Sequence, residues 1–173
     1  MAVRALKKPV DQAGTSMDDR ATYDPSSPGF RLDNSPFYLM AHVDFKYHED
    51  MDKVLHKHGV SKPIYRVMTV LRERQPASIG AIAEAALTKR STVSRIIDRM
   101  VEQGLVTTEP NPEDNRITEV PLTPAGQQTL RKLTPIVGRQ FVRAMEGVSD
   151  REIAQLLKTL KKVGANLSKL PIE

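Results

Sequence analysis

The chain has 173 residues, a formal net charge of +5, 39% hydrophobic and 5% aromatic content, and neither cysteine nor tryptophan. A chain of this length fits one domain, or one domain with an appended dimerisation element, and its apolar content is enough for a packed core. The lack of cysteine excludes disulfides, zinc–thiolate sites and thiol redox sensing. The few aromatics disfavour a sugar or cofactor surface built on stacking, and no apolar run approaches the ~18–20 residues needed to span a bilayer.

The start of the chain is basic but has no apolar stretch of signal-peptide length, so a cytoplasmic location and no membrane partner are expected. The charge is unevenly spread: zero over residues 1–35, +2 over 36–74, −2 over 75–123 and +5 over 124–173. The informative part is local. Lys89, Arg90, Arg95 and Arg99 against Asp98 give +3 within eleven residues, and a stripe of that kind weighs more than the overall isoelectric point.

Residues 1–34 are polar, and DPSSPG (24–29) reads as turn or linker. They are expected to form a flexible arm, with Phe30 and Leu32 available to dock on a partner subunit. Ser35-Pro36 is a helix start, an N-cap followed by proline at the first helical position. The helix runs to about His58 and is stopped by Gly59. Ser61-Lys62-Pro63 opens a second helix with Ile64, Val67, Met68 and Leu71 at i, i+3, i+4, i+7. Ser78 caps a short third helix carrying Ile79, Ile82, Ala83 and Ala86. After a turn at Leu87-Thr88, a fourth helix over 89–103 places Val93, Ile96, Ile97 and Met100 on one face and ends at Gly104.

Two β-prone segments, 105–110 and 116–122, flank the turn Asn111-Pro-Glu-Asp-Asn115 and predict a hairpin. Thr123-Pro124 opens a long helix in which Pro135 should cause a kink or break. Ser149-Asp-Arg-Glu152 is a capping box before a last helix with the stripe Ile153, Leu156, Leu157, Leu160, Val163 and Leu167.

Short helix, turn, basic helix and hairpin form a winged helix-turn-helix. The fold class is mainly α with a small β-hairpin wing and with N- and C-terminal dimerisation helices. The expected organisation is an arm over 1–34, dimerisation and pocket helices over 35–74, the winged helix-turn-helix over 75–123 and C-terminal dimerisation helices over 124–173. With the apolar residues of 89–103 turned inward, Arg90, Ser91, Thr92, Ser94 and Arg95 are left to face a groove. Their hydroxyls suit base edges or phosphates, and an arginine can bond guanine O6 and N7 together. Arg99, one turn on, suits a phosphate. In the hairpin, Arg116 is a candidate for the minor groove, held by Asp114 two residues away. A solvated charged face alone would look similar; the ordered set of elements is what favours DNA.

At these residues the chain resembles the MarR family of bacterial transcriptional regulators. The match lies in RSTVSRIIDRMVEQGLV (90–106) and in the wing pattern DNRITEVPLTPAG (114–126), with Asp114, Arg116, Leu122, Thr123 and Gly126 at the family's spacing. It covers about residues 36–169. The resemblance implies DNA contacts at Ser91, Thr92, Ser94 and Arg95, phosphate contact at Arg99 and minor-groove contact at Arg116. Lys89 stands where many members carry an acidic residue that helps tether the wing, which leaves that task to Asp114. Leu87 and Thr88 occupy a turn that often contains glycine.

The resemblance also implies a homodimer on a palindromic operator, and a small-molecule effector, often an aromatic acid, in a pocket between the dimer helices and the winged domain. Tyr38, His42, Tyr65 and Arg66 are the candidates to line it, as aromatic walls and cations for a carboxylate; ordinary packing is the alternative. His48, Asp52 and His56 at i, i+4, i+8 suit either a solvated polar face or a metal, and no metal or other cofactor is assigned. The function expected is a repressor released from an inverted repeat by a small ligand, an aromatic acid or its thioester. The alternative is an effector-independent architectural DNA-binding protein. An enzyme is not expected, because no nucleophile motif or Gly-rich phosphate loop is present.

Overall fold

The structure is a computed structural model and describes residues 21–169. The chain divides into two compact units, one ending at Lys62 and one beginning at Pro63.

In the first unit, residues 21–34, helical at 21–23 and in a 3-10 turn at Leu32–Asn34, fold back on themselves. The Arg31 amide donates to the Thr22 carbonyl at 2.8 Å, Asn34 Nδ2 donates to Thr22 Oγ1 at 2.9 Å, and Asp24 Oδ1 accepts from the Ser26 amide at 2.9 Å, the aspartate turn that DPSSPG suggests. The part of the expected arm before residue 21 lies outside the described residues. Helix α1 (Pro36–His56) begins at Ser35, whose hydroxyl accepts from the Tyr38 amide. It ends just before Gly59, which supplies a left-handed φ of 71°. Of its residues only Met51 and Leu55 are buried, while Phe37, Leu39, Val43 and Phe45 stand exposed on the first half.

The second unit holds most of the core. Helix α2 (Lys62–Glu73) buries Ile64, Val67, Met68 and Leu71, the residues its spacing singles out. Helices α3 (Ile79–Ala85) and α4 (Arg90–Glu102) follow, burying Ile82 and Ala83 and then Val93, Ile97 and Met100. Each large apolar side chain so covered is worth about 1.5–3 kcal/mol, which fixes which way α4 faces. The wing strands β2 (Glu109–Pro110) and β3 (Thr118–Val120) are antiparallel, pairing Glu109 with Glu119 and Pro110 with Thr118. A further strand, β1 (Ala77–Ser78), pairs with the other edge of β3, giving the order β1-β3-β2. The hairpin read from the sequence is thus two strands of a three-stranded sheet, and Val120 and Ala77 are buried where it meets the helices.

Helix α5 (Pro124–Ala144) is a single helix, and Pro135 does not break it. Proline leaves the Arg131 carbonyl without its usual donor, but both residues are on the exposed side, where water satisfies it. Helix α6 (Asp150–Leu167) starts with the capping box: the Ser149 amide and hydroxyl donate to Glu152 Oε2 at 2.8 and 2.6 Å. These bonds, the hydroxyl's foremost, hold the Glu152 carboxyl below its usual range. No residue of α6 is buried, although its apolar stripe is intact.

Candidate nucleic-acid interface

Helices α3 and α4 with the turn between them make the helix-turn-helix. Ser78 Oγ accepts from the Ala81 amide at 3.1 Å and starts α3. The turn closes where the Leu87 amide donates to the Glu84 carbonyl and the Thr88 amide to the Ala83 carbonyl. Leu87 has a φ of 51° and is 91% exposed. A branched side chain in this left-handed region costs about 1–2 kcal/mol, whereas glycine's extra chain entropy costs about 0.5–1. Leu87→Gly is therefore expected to raise stability by about 0.5–1 kcal/mol, read as a higher urea midpoint with an unchanged slope. A lower midpoint would mean that the leucine side chain makes a stabilising contact.

Along α4, Arg90, Ser91, Thr92, Arg95 and Arg99 are exposed and Ser94 is half-buried, with Ile96 at the margin between the two faces. Among the described residues, the side chains of Lys89, Arg90, Arg95 and Arg99 have no hydrogen-bond or ion-pair partner. Ser94 differs: its hydroxyl donates to the Arg90 carbonyl at 3.1 Å, which leaves it an acceptor only. Lys89 occupies the N-cap and its side chain makes no capping bond.

The wing tip is built around two side chains. Asn111 Oδ1 accepts from the amides of Glu113 and Asp114 at 2.8 and 3.0 Å, and Asn111 Nδ2 donates to Glu119 Oε1 at 2.6 Å. Asp114 in turn accepts from Arg116: Oδ1 from the amide at 3.0 Å and from Nε at 3.1 Å, Oδ2 from Nη2 at 3.4 Å. Asp114 thus holds the arginine by its backbone amide and by one edge of the guanidinium, while the side chain remains 91% exposed. The Arg116 side chain, then its backbone amide, holds the Asp114 carboxyl below its ordinary value. A depressed carboxylate pKa means the tether is complete at neutral pH and is lost only as pH falls through that lowered value. Between residues 105 and 122, four acidic residues face a single cation, Arg116, so the wing's attraction for a phosphate chain rests on that side chain. Asn111 was not among the residues singled out from the sequence; an asparagine opening a Pro-Glu-Asp turn is the signal for its role.

The candidate ligand contacts fall in both units. Tyr38 and His42, one turn apart on α1, are exposed with ring centroids 5.9 Å apart. Tyr65 is half-buried on α2, and Arg66 Nη1 donates to the Ala86 carbonyl at 3.3 Å, fastening α2 to the end of α3. On the polar face of α1, His48 Nε2 lies 3.1 Å from Asp44 Oδ1. Among the described residues, no three His, Asp or Glu side chains converge as a metal-holding group, and no helix is long and apolar enough to cross a membrane.

The MarR family model matches residues 60–118, from α2 through the wing tip. The HTH-type transcriptional repressor IacR of Pseudomonas putida is 34% identical over 163 residues, which cover 94% of this chain and 98% of IacR. A crystal structure of a MarR family transcriptional regulator from Silicibacter pomeroyi superposes with a TM-score of 0.73 at 29% identity, covering 82% of this chain and 96% of that one. BpsR of Bordetella bronchiseptica, whose DNA binding is regulated by 6-hydroxynicotinic acid, shares the fold with a TM-score of 0.70 at 18% identity, covering 78% of this chain and 96% of BpsR. A relationship to IacR along nearly the whole of both chains, on a winged helix-turn-helix with an arginine-bearing wing, places the chain in the MarR family of transcriptional regulators.

Proposed function

We propose that the protein is a homodimeric repressor that binds an inverted-repeat operator through α4 and the wing and is released by a small aromatic carboxylic acid or its thioester. The observation that carries this reading is the outward face of α4, whose cationic side chains have no partner among the described residues, together with an exposed Arg116 whose guanidinium is oriented along one edge by Asp114. In this reading Ser91, Thr92, Ser94 and Arg95 face base edges, Arg99 meets a phosphate, and Arg116, oriented by Asp114, enters the minor groove. A two-fold dimer sets its recognition helices one turn of DNA apart, about 34–36 Å, which calls for an inverted repeat. The apolar stripe of α6, with nothing buried within one chain, supports the dimer. The ring pair of Tyr38 and His42 supports an aromatic acid, and BpsR provides an example of such control on this fold.

Footprinting to locate the operator, followed by its affinity measured against random DNA at one salt concentration, tests the reading. A repressor should prefer its operator by ~10³ or more. A ratio near one would instead identify an architectural binder. Adding aromatic acids and thioesters then tests release.

Two sets of substitutions divide the roles. Arg116→Ala is expected to cost about 1–3 kcal/mol of DNA affinity, and unchanged binding at low and moderate salt would remove the wing from the contact. Arg95→Ala should relax base preference. Arg99→Ala should weaken all sequences alike and shallow the salt dependence by about one. Equal losses on operator and random DNA for Arg95→Ala would overturn that division.

A further inference from the structure

Arg90, the first residue of α4, packs against a residue of α3. A Cβ built on Gly80 would lie 2.9 Å from Arg90 Nη2, 3.2 Å from Cζ and 3.4 Å from Nε. The whole guanidinium therefore rests against the bare α-carbon of Gly80, in the first turn of α3, and bridges the starts of the two helices of the motif. This contact is one of packing and takes up none of its N–H groups in a hydrogen bond. The Arg90 side chain makes no hydrogen bond or ion pair among the described residues, so none of its five N–H donors is taken up by them while the group is held in place by packing. In a helix-turn-helix the first helix crosses the sugar–phosphate backbone, and the second enters the groove. A guanidinium resting on the first helix is therefore placed where that helix crosses the backbone.

We infer that Arg90 grips a backbone phosphate rather than a base, and that Gly80 is a positioning residue whose missing side chain makes the place where that guanidinium rests. This rests on the proposed DNA-binding function and adds to it a division of labour: Arg95 for bases, Arg90 for phosphate at the crossing of α3. It also gives a physical reason for glycine at a helix position where alanine is the better helix former. The atoms that alanine would meet belong to the end of a flexible side chain, so Gly80→Ala displaces Arg90 without straining the fold.

The test is a double-mutant cycle on the full-length protein, read by operator and random-DNA affinity, salt dependence and urea midpoint. Gly80→Ala should leave the urea midpoint equal or higher, yet weaken operator and random DNA alike. Arg90→Ala should lower both affinities roughly tenfold, the loss of one charge-assisted contact, and shallow the salt dependence by about 0.9. In the Arg90→Ala background, Gly80→Ala should have no further effect. A selective loss on operator DNA for Arg90→Ala would assign Arg90 to a base and overturn the inference. So would an equal loss from Gly80→Ala in both backgrounds, which would place DNA directly on Gly80. Wild-type protein that binds no DNA would instead fail the underlying function; wild-type binding with both variants unaffected fails this inference alone.

Discussion

Leu157→Glu is expected to turn the protein from a dimer into a monomer and to lower operator affinity by roughly 10²–10⁴, the advantage that two linked half-site contacts hold over one. Leu156 and Leu157 are each 50% exposed and Leu160 37%, along a helix that buries no residue within its own chain. Eighteen residues with an apolar stripe on one side and water on both gain little without a partner, since most helical stability in proteins comes from packing an amphipathic face. In the proposed dimer a second copy supplies the missing surface, and a carboxylate placed in that surface must be desolvated without a partner. In the single chain the same substitution sits on an exposed helix position and is nearly neutral. Sedimentation equilibrium reads the mass, and anisotropy with labelled operator reads the affinity. A variant that stays dimeric with wild-type affinity would show that α6 is not part of the dimer contact.

Gly126→Ala is expected to destabilise the second unit by about 3 kcal/mol or more, beyond the usual range for overpacking because the obstruction is main chain. A Cβ on Gly126 would overlap the Leu105 carbonyl oxygen and lie 3.1 Å from Leu122 Cδ2. That carbonyl cannot yield easily. It accepts from the Thr123 amide at 3.0 Å, and Leu105 itself donates to the Met100 carbonyl at 2.8 Å. Thr123 adds two bonds at the same place, its hydroxyl donating to the Gly104 carbonyl at 2.6 Å and accepting from the Gly126 amide at 3.0 Å. The helix-propensity gain of about 1 kcal/mol from removing a glycine does not offset the loss of this junction. Urea unfolding followed by circular dichroism measures the effect; an unchanged midpoint would mean that α5 shifts away from Leu105 at no cost.

Much of this architecture was legible from spacing alone. The stripe Ile64, Val67, Met68, Leu71 and the set Val93, Ile97, Met100 are buried because helical periodicity gathers them on one face. The Ser35, Ser78, Thr123 and Ser149 caps are where their side-chain oxygens meet the first free amides. Strand β1 was not legible, since two residues with no alternation carry no strand signal and Ala77-Ser78 pairs only because β3 presents an edge there. Of the kink or break expected at Pro135, the break does not occur, because a proline on a water-facing side takes one bond from a helix without ending it. In the site, the Asp114–Arg116 tether was legible because it is local. The seat of Arg90 on Gly80 was not, because it joins residues on different helices.

The unbroken course of α5 has a mechanical consequence. Its twenty-one residues span about 32 Å at 1.5 Å per residue, and its first turn is bonded to the backbone that leaves α4. Such a rod acts as a lever: a tilt of five degrees about the Thr123 end carries the Ala144 end through roughly 3 Å, given that length. The converse also holds, so a displacement imposed far from the DNA-reading head returns to it as a small rotation with little loss in between.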